Sequence, residues 1–237
     1  PEFAQTLPPQ TVSDGPVLEN VMEGDAVDLE SFPVPLWHEK DGGRYIGTGC
    51  AVITKDPDSG AVNLGTYRCM LQGKNTVSVK MNKGKHGRLT MQKYHAMGKP
   101  CPIAISIGHI PQILMAAQLP VPVETDEYGV AGWLLDAPIS VIETGDSGLP
   151  IPAFGEIVLE GEVPVYQDGE PPREGPFGEW PGYYADTTTG EVPLMVVKRI
   201  YYRNDPIILG APPLKPPNNL LALPMGAAVL WDQLEEA

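Results

Sequence analysis

Glycine and proline punctuate this chain from end to end. Its 26 Gly and 27 Pro lie between short apolar runs and are not bunched into one low-complexity tract. Proline cannot donate to a ladder and glycine weakens a strand interior, so this spacing favours many short strands joined by turns. Strands are expected at 45–54, 66–71, 76–80, 103–107, 139–143, 156–165 and 194–202, several of them alternating apolar and polar positions as half-buried strands do. Two stretches, 89–97 and 111–117, have helical spacing without internal Gly or Pro, and Gly98 stands where a C-cap is expected. From Asp205 to Pro224 the prolines stiffen an extended connector, and 225–236 reads as the start of a helix without a partner of its own. A following domain is therefore expected.

At 237 residues the chain is long enough to bury a sizeable core. Its 16 Lys+Arg against 30 Asp+Glu give a net charge of −14, which repels a phosphate backbone and argues against nucleic-acid binding. Cys50, Cys69 and Cys101 are an odd set without CxxC spacing, so neither a disulfide framework nor a thiolate zinc site is expected, and a reducing, cytoplasmic compartment fits. No apolar run of about 18 residues marks a membrane span, and the first residues lack the order of a signal peptide. The start at Pro1-Glu2-Phe3 reads as a cloning scar or a cut from something longer.

Four constellations carry chemical potential. Asp56-Pro57-Asp58-Ser59-Gly60 is a turn by composition, followed by Asn63 and, five residues on, Arg68. In a regular strand that odd spacing puts the two side chains on opposite faces, so a bulge, a bend or a strand end is needed to bring both to one site. The plain alternative is a polar hairpin with a surface Arg. Gly84-Lys85-His86-Gly87 is a small-residue loop that presents an imidazole beside an ammonium, suited to a phosphate or a metal-bound phosphate, or simply a solvated loop. Glu124-Thr125-Asp126-Glu127 is an acidic knot. With Asn63 and His86, one of its carboxylates completes an O, N, O set for Mn²⁺ or Mg²⁺; alone, such a run is solvated surface. Lastly, Glu174-Gly175-Pro176-Phe177-Gly178-Glu179 can fold its two acids back toward each other. Paired with Arg68, one acid stays ionised while the other, less solvated, carries a proton.

These pieces, in this order, resemble the UbiD family of prenylated-FMN-dependent decarboxylases. The resemblance rests on Asp41-Gly42-Gly43-Arg44-Tyr45, Asn63 with Arg68, Gly108-His109-Ile110-Pro111, Pro152 to Glu162, and Glu174 to Tyr184, and it covers about Ser31 to Pro213. It implies a split β-barrel flavin-binding domain over 31–213, preceded by a lead-in (1–30) and followed by a Pro-rich connector and the start of a linker helix (214–237). It implies Asn63, His86 and Glu127 as ligands of Mn²⁺ (or Mg²⁺), with K⁺ as a further ion, clamping the cofactor phosphate. It chooses Glu127 from the knot by its five-residue spacing to Gly132. Thr66, Tyr67, Arg68, Lys85 and Leu119 are implied as further cofactor-binding positions. Lys85 stands where some relatives carry Gln, and Ala117 and Gln118 where some carry Ser. In catalysis, Arg68 would orient the substrate carboxylate, Glu174 would support Arg68, and Glu179 would donate the proton.

The implied activity is reversible, non-oxidative decarboxylation of an aromatic or α,β-unsaturated acid, with CO₂ as co-product. The full enzymes of the family are about twice this length, so the implied partners are a C-terminal domain or second chain, or further copies of this one. Two rivals are a flavin-binding or assembly subunit without turnover, and a flavin reductase on a similar barrel. The second leaves Arg68, Glu174 and Glu179 unexplained.

Overall fold

The computed structural model describes residues 6–122, 125–145, 147–165, 172–185, 188–189, 192–213, 227–228, 230–231 and 234–235. The first half contains β1 (Gln10–Thr11), β2 (Asn20–Glu23), β3 (Tyr45–Gly47), β4 (Ala51–Lys55), β5 (Val62–Gly65), β6 (Cys69–Gly73), β7 (Thr76–Val79) and α1 (His86–Ala96). Next come β8 (Cys101–Ile107), α2 (Pro111–Ala116), α3 (Glu127–Leu135), β9 (Ser140–Glu143), β10 (Pro150–Pro152) and β11 (Ile157–Val163). The last are β12 (Arg173–Glu174), β13 (Phe177–Gly178), β14 (Tyr184–Ala185), β15 (Thr188–Thr189) and β16 (Leu194–Tyr202).

Short strands dominate, as the Gly/Pro spacing predicts. One nine-stranded sheet runs β3-β6-β7-β16-β11-β8-β4-β5, with β2 also on β16; β1, β9 and β10 form a small sheet, and β12-β15 and β13-β14 are two-residue ribbons. The middle of the large sheet is buried on both faces. On β8, Ile103, Ile105 and Ile107 enter one core and Ala104 the other; on β11, Ile157 and Leu159 enter the first and Val158 the second. Side chains alternate across a strand, so two buried faces demand consecutive apolar residues, here Ile103-Ala104-Ile105 and Ile157-Val158-Leu159. Each fully buried Ile contributes about 1.5–3 kcal/mol of transfer free energy. Where β11 meets β16 the register shifts between Glu160 and Gly161, and a Cβ on Gly161 would lie 2.0 Å from the Val196 carbonyl oxygen. Only glycine fits that bulge.

Some elements depart from expectation. The strand expected at 45–54 is two strands, because Thr48-Gly49-Cys50 breaks the ladder between β3 and β4. The helix α3 arises where an acidic surface run was one alternative. Asp126 caps it, accepting from Tyr128 N at 2.9 Å, and Gly129 and Gly132 lie inside it because Thr6 and Leu7 pack where their Cβ atoms would be. Residues 10–30 contribute β1, β2 and the buried Val17, Val27 and Leu29, so they pack into the same cores as the rest. Residues 214–224 of the expected connector lie outside the described residues, and of 225–236 only residues 227–228, 230–231 and 234–235 are described. Among the described residues no helix is long and apolar enough to cross a membrane.

Candidate active site

Two adjoining recesses open beside the β5–β6 connection. The larger, ≈ 610 Å³, is lined by Asn63, Thr66, Tyr67, Lys85, His86, Leu119 and Glu127, together with Ala117 and Gln118. The smaller, ≈ 430 Å³, shares Thr66, Tyr67 and Lys85 and adds Arg68, Lys80, Asn82 and Glu179. The structure thus gathers every residue named as cofactor-facing around two recesses that share Thr66, Tyr67 and Lys85.

Each arrives there for a local reason. Asn63 sits on β5, an end strand of the sheet, whereas Thr66, Tyr67 and Arg68 lie in the bend before β6, outside either strand. That bend resolves the odd spacing between Asn63 and Arg68. The Cys50 and Cys69 thiols both donate to the Tyr67 carbonyl at 3.2 Å, which holds the peptide leading into Arg68. The Tyr67 ring lies over Gly65 and Gly87, where Cβ atoms would stand 2.5 and 3.2 Å from it. The loop Gly84-Lys85 ends at the start of α1, so His86 is the first residue of that helix. Gly84 takes φ +85°, a left-handed conformation that suits glycine.

Glu127 is the least expected of these electrostatically. It is 4% exposed, and its Oε2 accepts from Leu64 N at 3.1 Å. Burial pushes its pKa up to about 7, against the pull of that N–H. The neighbouring Asn63 Nδ2 is buried without a hydrogen-bond partner, as is Thr66 Oγ1. A buried carboxylate beside an unsatisfied amide fits a hard cation, since the amide can turn its oxygen toward the metal and its NH₂ away. Among the described residues no three His, Cys, Asp or Glu side chains cluster as a metal site; this set has two of those types plus an asparagine. Glu124 lies outside the described residues.

Arg68 is held between two acids. Its Nε and Nη2 donate to Glu174 Oε1 and Oε2 at 2.6 and 3.0 Å, and its Nη1 donates to Glu179 Oε1 at 3.0 Å. The guanidinium carbon lies 4.9 Å above the centroid of the Phe177 ring. Burial pulls the Arg68 pKa down, and the bond and charge of Glu174 more than restore it. The two acids are unequal: Glu174 has no exposure, while the Glu179 side chain is 24% exposed. Their hold on Arg68 differs as well: Glu174 is locked in a bidentate pair, and Glu179 holds Arg68 by one bond.

Sequence reasoning missed the residues that fix this acid turn. Asp41 accepts from His38 N and Gly178 N, each at 2.9 Å, and Gly42 N donates to the Pro176 carbonyl at 2.8 Å. A Cβ on Gly42 would stand 2.1 Å from the Gly175 carbonyl oxygen, so the turn lies directly on the glycine. Tyr45 donates to Glu174 Oε1 at 2.9 Å, and Lys80 Nζ lies 3.8 Å from Glu174 Oε2. The signal was present: Asp41 to Tyr45 is one of the family-like stretches, with no role attached to it. Gly108 and Glu156, from two other such stretches, join through Glu156 N to the Gly108 carbonyl at 2.7 Å. Glu156 then accepts from Arg203 at 2.8 Å and Ile207 N at 3.1 Å, fastening the segment that brings Ala211 to the larger recess.

Residues 10–216 match the family model described as the 3-octaprenyl-4-hydroxybenzoate carboxy-lyase Rift-related domain, UbiD. The chain belongs to the UbiD family. Among UbiD relatives, it is 38% identical over 214 residues to pyrrole-2-carboxylic acid decarboxylase of Pseudomonas aeruginosa, covering 89% of this chain and 42% of that protein. The UbiD-class enzyme HmfF of Pelotomaculum thermopropionicum, solved with prenylated FMN, superposes with TM-score 0.84 at 29% identity, over 98% of this chain and 53% of that one. Vanillic acid decarboxylase of Sedimentibacter hydroxybenzoicus, in its closed form, gives 0.81 at 32% identity, over 91% and 45%. The chain spans about half the length of these UbiD proteins.

Proposed function

We propose that this chain is the cofactor-holding part of a prenylated-FMN-dependent decarboxylase acting reversibly on aromatic or α,β-unsaturated carboxylic acids. The observation that carries the reading is the guanidinium of Arg68 held between Glu174 and Glu179 at the edge of the recess lined by Asn63, His86 and Glu127. The names of the UbiD relatives, decarboxylases of a pyrrole acid and of vanillic acid, support the substrate class. The split-barrel arrangement belongs to the same reading, supported by one large sheet with a core on each face.

Asn63, His86 and Glu127 would hold a divalent cation, Mn²⁺ or Mg²⁺, against the cofactor phosphate, with Thr66, Tyr67, Lys85 and Leu119 lining the flavin. When bound, prenylated FMN supplies the electron sink that cleavage of a C–CO₂ bond needs. Arg68 binds the substrate carboxylate, and Glu174 keeps the guanidinium in place. Glu179, the acid with one bond to Arg68 and access to the recess, delivers a proton to the carbon that CO₂ leaves. Run backward, the same acid takes that proton away.

The test is reconstitution with prenylated FMN and Mn²⁺, an absorption spectrum, and exchange of labelled CO₂ into a panel of aromatic and unsaturated acids. Bound flavin with exchange that Arg68→Ala abolishes is the expected result. Bound flavin with no exchange on any acid, even when the remainder of a full-length relative is supplied, points instead to an assembly subunit.

A further inference from the structure

Tyr45 is fully buried on β3, with its ring centroid 4.3 Å from that of Phe177. Its backbone is fixed on both sides: Tyr45 N donates to the Pro35 carbonyl at 3.0 Å, and Trp37 Nε1 donates to the Tyr45 carbonyl at 3.3 Å. For packing alone, phenylalanine would serve. The hydroxyl instead spends its one proton on Glu174 Oε1, the oxygen that Arg68 Nε also reaches.

We infer that Tyr45 is a positioning residue: its hydroxyl fixes the rotation of the Glu174 carboxylate so that both oxygens face Arg68. The consequence is a division of labour within the acid pair. Glu174 accepts from Tyr45 and twice from Arg68, with Lys80 close by, so it cannot turn away. Glu179 is left as the contact that can move. Without the Tyr45 hydroxyl, a carboxylate can pivot about its last bond and offer Arg68 one oxygen, and the guanidinium loses its fixed aim. Burial, and then the Glu174 charge, raise the Tyr45 pKa, so the phenol keeps the proton it donates.

For its catalytic consequence this inference rests on the decarboxylase reading, and its test has one arm that does not. Tyr45→Phe keeps the ring and removes only the donor. In the first arm, hydrogen exchange of the Arg68 Nε–H is followed by NMR in the flavin-free protein, with unchanged far-UV circular dichroism as the control for fold. Faster exchange in Tyr45→Phe, by about tenfold or more, is expected for a bond to an ionised group that has lost its brace. In the second arm, CO₂ exchange is measured in Tyr45→Phe, Glu174→Gln and the double variant. The expected result is a fall in kcat of about tenfold to a hundredfold with little change in KM, and no further fall when Tyr45→Phe is added to Glu174→Gln. Unchanged Arg68 exchange in the first arm overturns the inference, as does full additivity in the second. If the parent protein shows no CO₂ exchange at all, the decarboxylase reading fails while the first arm still decides the role of Tyr45.

Discussion

Arg68 and Glu127 are the two residues whose surroundings depart most from what their types ordinarily accept. Arg68 spends three of its five N–H groups on two acids, so its removal leaves Glu174 buried without its main partner. Arg68→Ala is expected to abolish CO₂ exchange while leaving the sheet folded, since Phe177 beneath Arg68 belongs to a small cluster separate from the two main cores; loss of exchange with retained near-UV circular dichroism checks this. Glu127 poses a different question, because in the metal-free chain the Leu64 N–H only partly offsets its burial as an anion. A carboxylic acid with a raised folded-state pKa favours folding while protonated. That contribution is complete below about pH 4.5 and is lost as pH rises through about 7. A shift of this size corresponds to about 3 kcal/mol. Urea unfolding of the metal-free protein should therefore show lower stability at pH 8 than at pH 5, a difference that Glu127→Gln removes and Mn²⁺ offsets.

At the scale of elements, legibility follows how local the cause is. The strands β8, β11 and β16 were readable because a sheet writes its burial into its own strands, as consecutive apolar residues in β8 and β11, where both faces are buried. The helix α3 was not, because Gly129 and Gly132 spoil its propensity and are there for Thr6 and Leu7, more than 120 residues earlier in the chain. Position along the chain likewise hid the partners of the acid turn: Asp41 and Gly42 act on residues 174–178, and nothing local announces it. Resemblance assembled the ligand and acid sets, while the bend at 66–68 supplied the physical reason that Asn63 and Arg68 reach adjoining recesses. The close seat of the turn on Gly42 gives a sharp test. Gly42→Ala forces a methyl to 2.1 Å from a backbone oxygen that cannot swing aside, so a loss of about 2–3 kcal/mol is expected in urea unfolding. Lys74→Ala, at a side chain 69% exposed, should cost little by comparison.

Taken whole, the molecule brings the proposed cofactor-facing residues together from the β5 end of the large sheet and from the first residues of α1 and α3. Every one of those residues lies within the described part of this chain. The 237-residue protein on its own is therefore expected to retain flavin through dialysis in the presence of Mn²⁺, and His86→Ala or Glu127→Ala to release it; flavin absorbance after dialysis measures both.

The place of β16 has a consequence for how the chain is made. It is the last strand of the large sheet in chain order, yet it pairs with β7, β11 and β2, near its middle. During synthesis the ribosome releases all other strands of the large sheet before the strand that joins the two halves emerges. Until then β7 and β11 each present an open hydrogen-bonding edge to whatever is nearby. A nascent chain of this design needs shelter for that interval, and a stop codon placed before Leu194 should yield inclusion bodies, not a smaller enzyme.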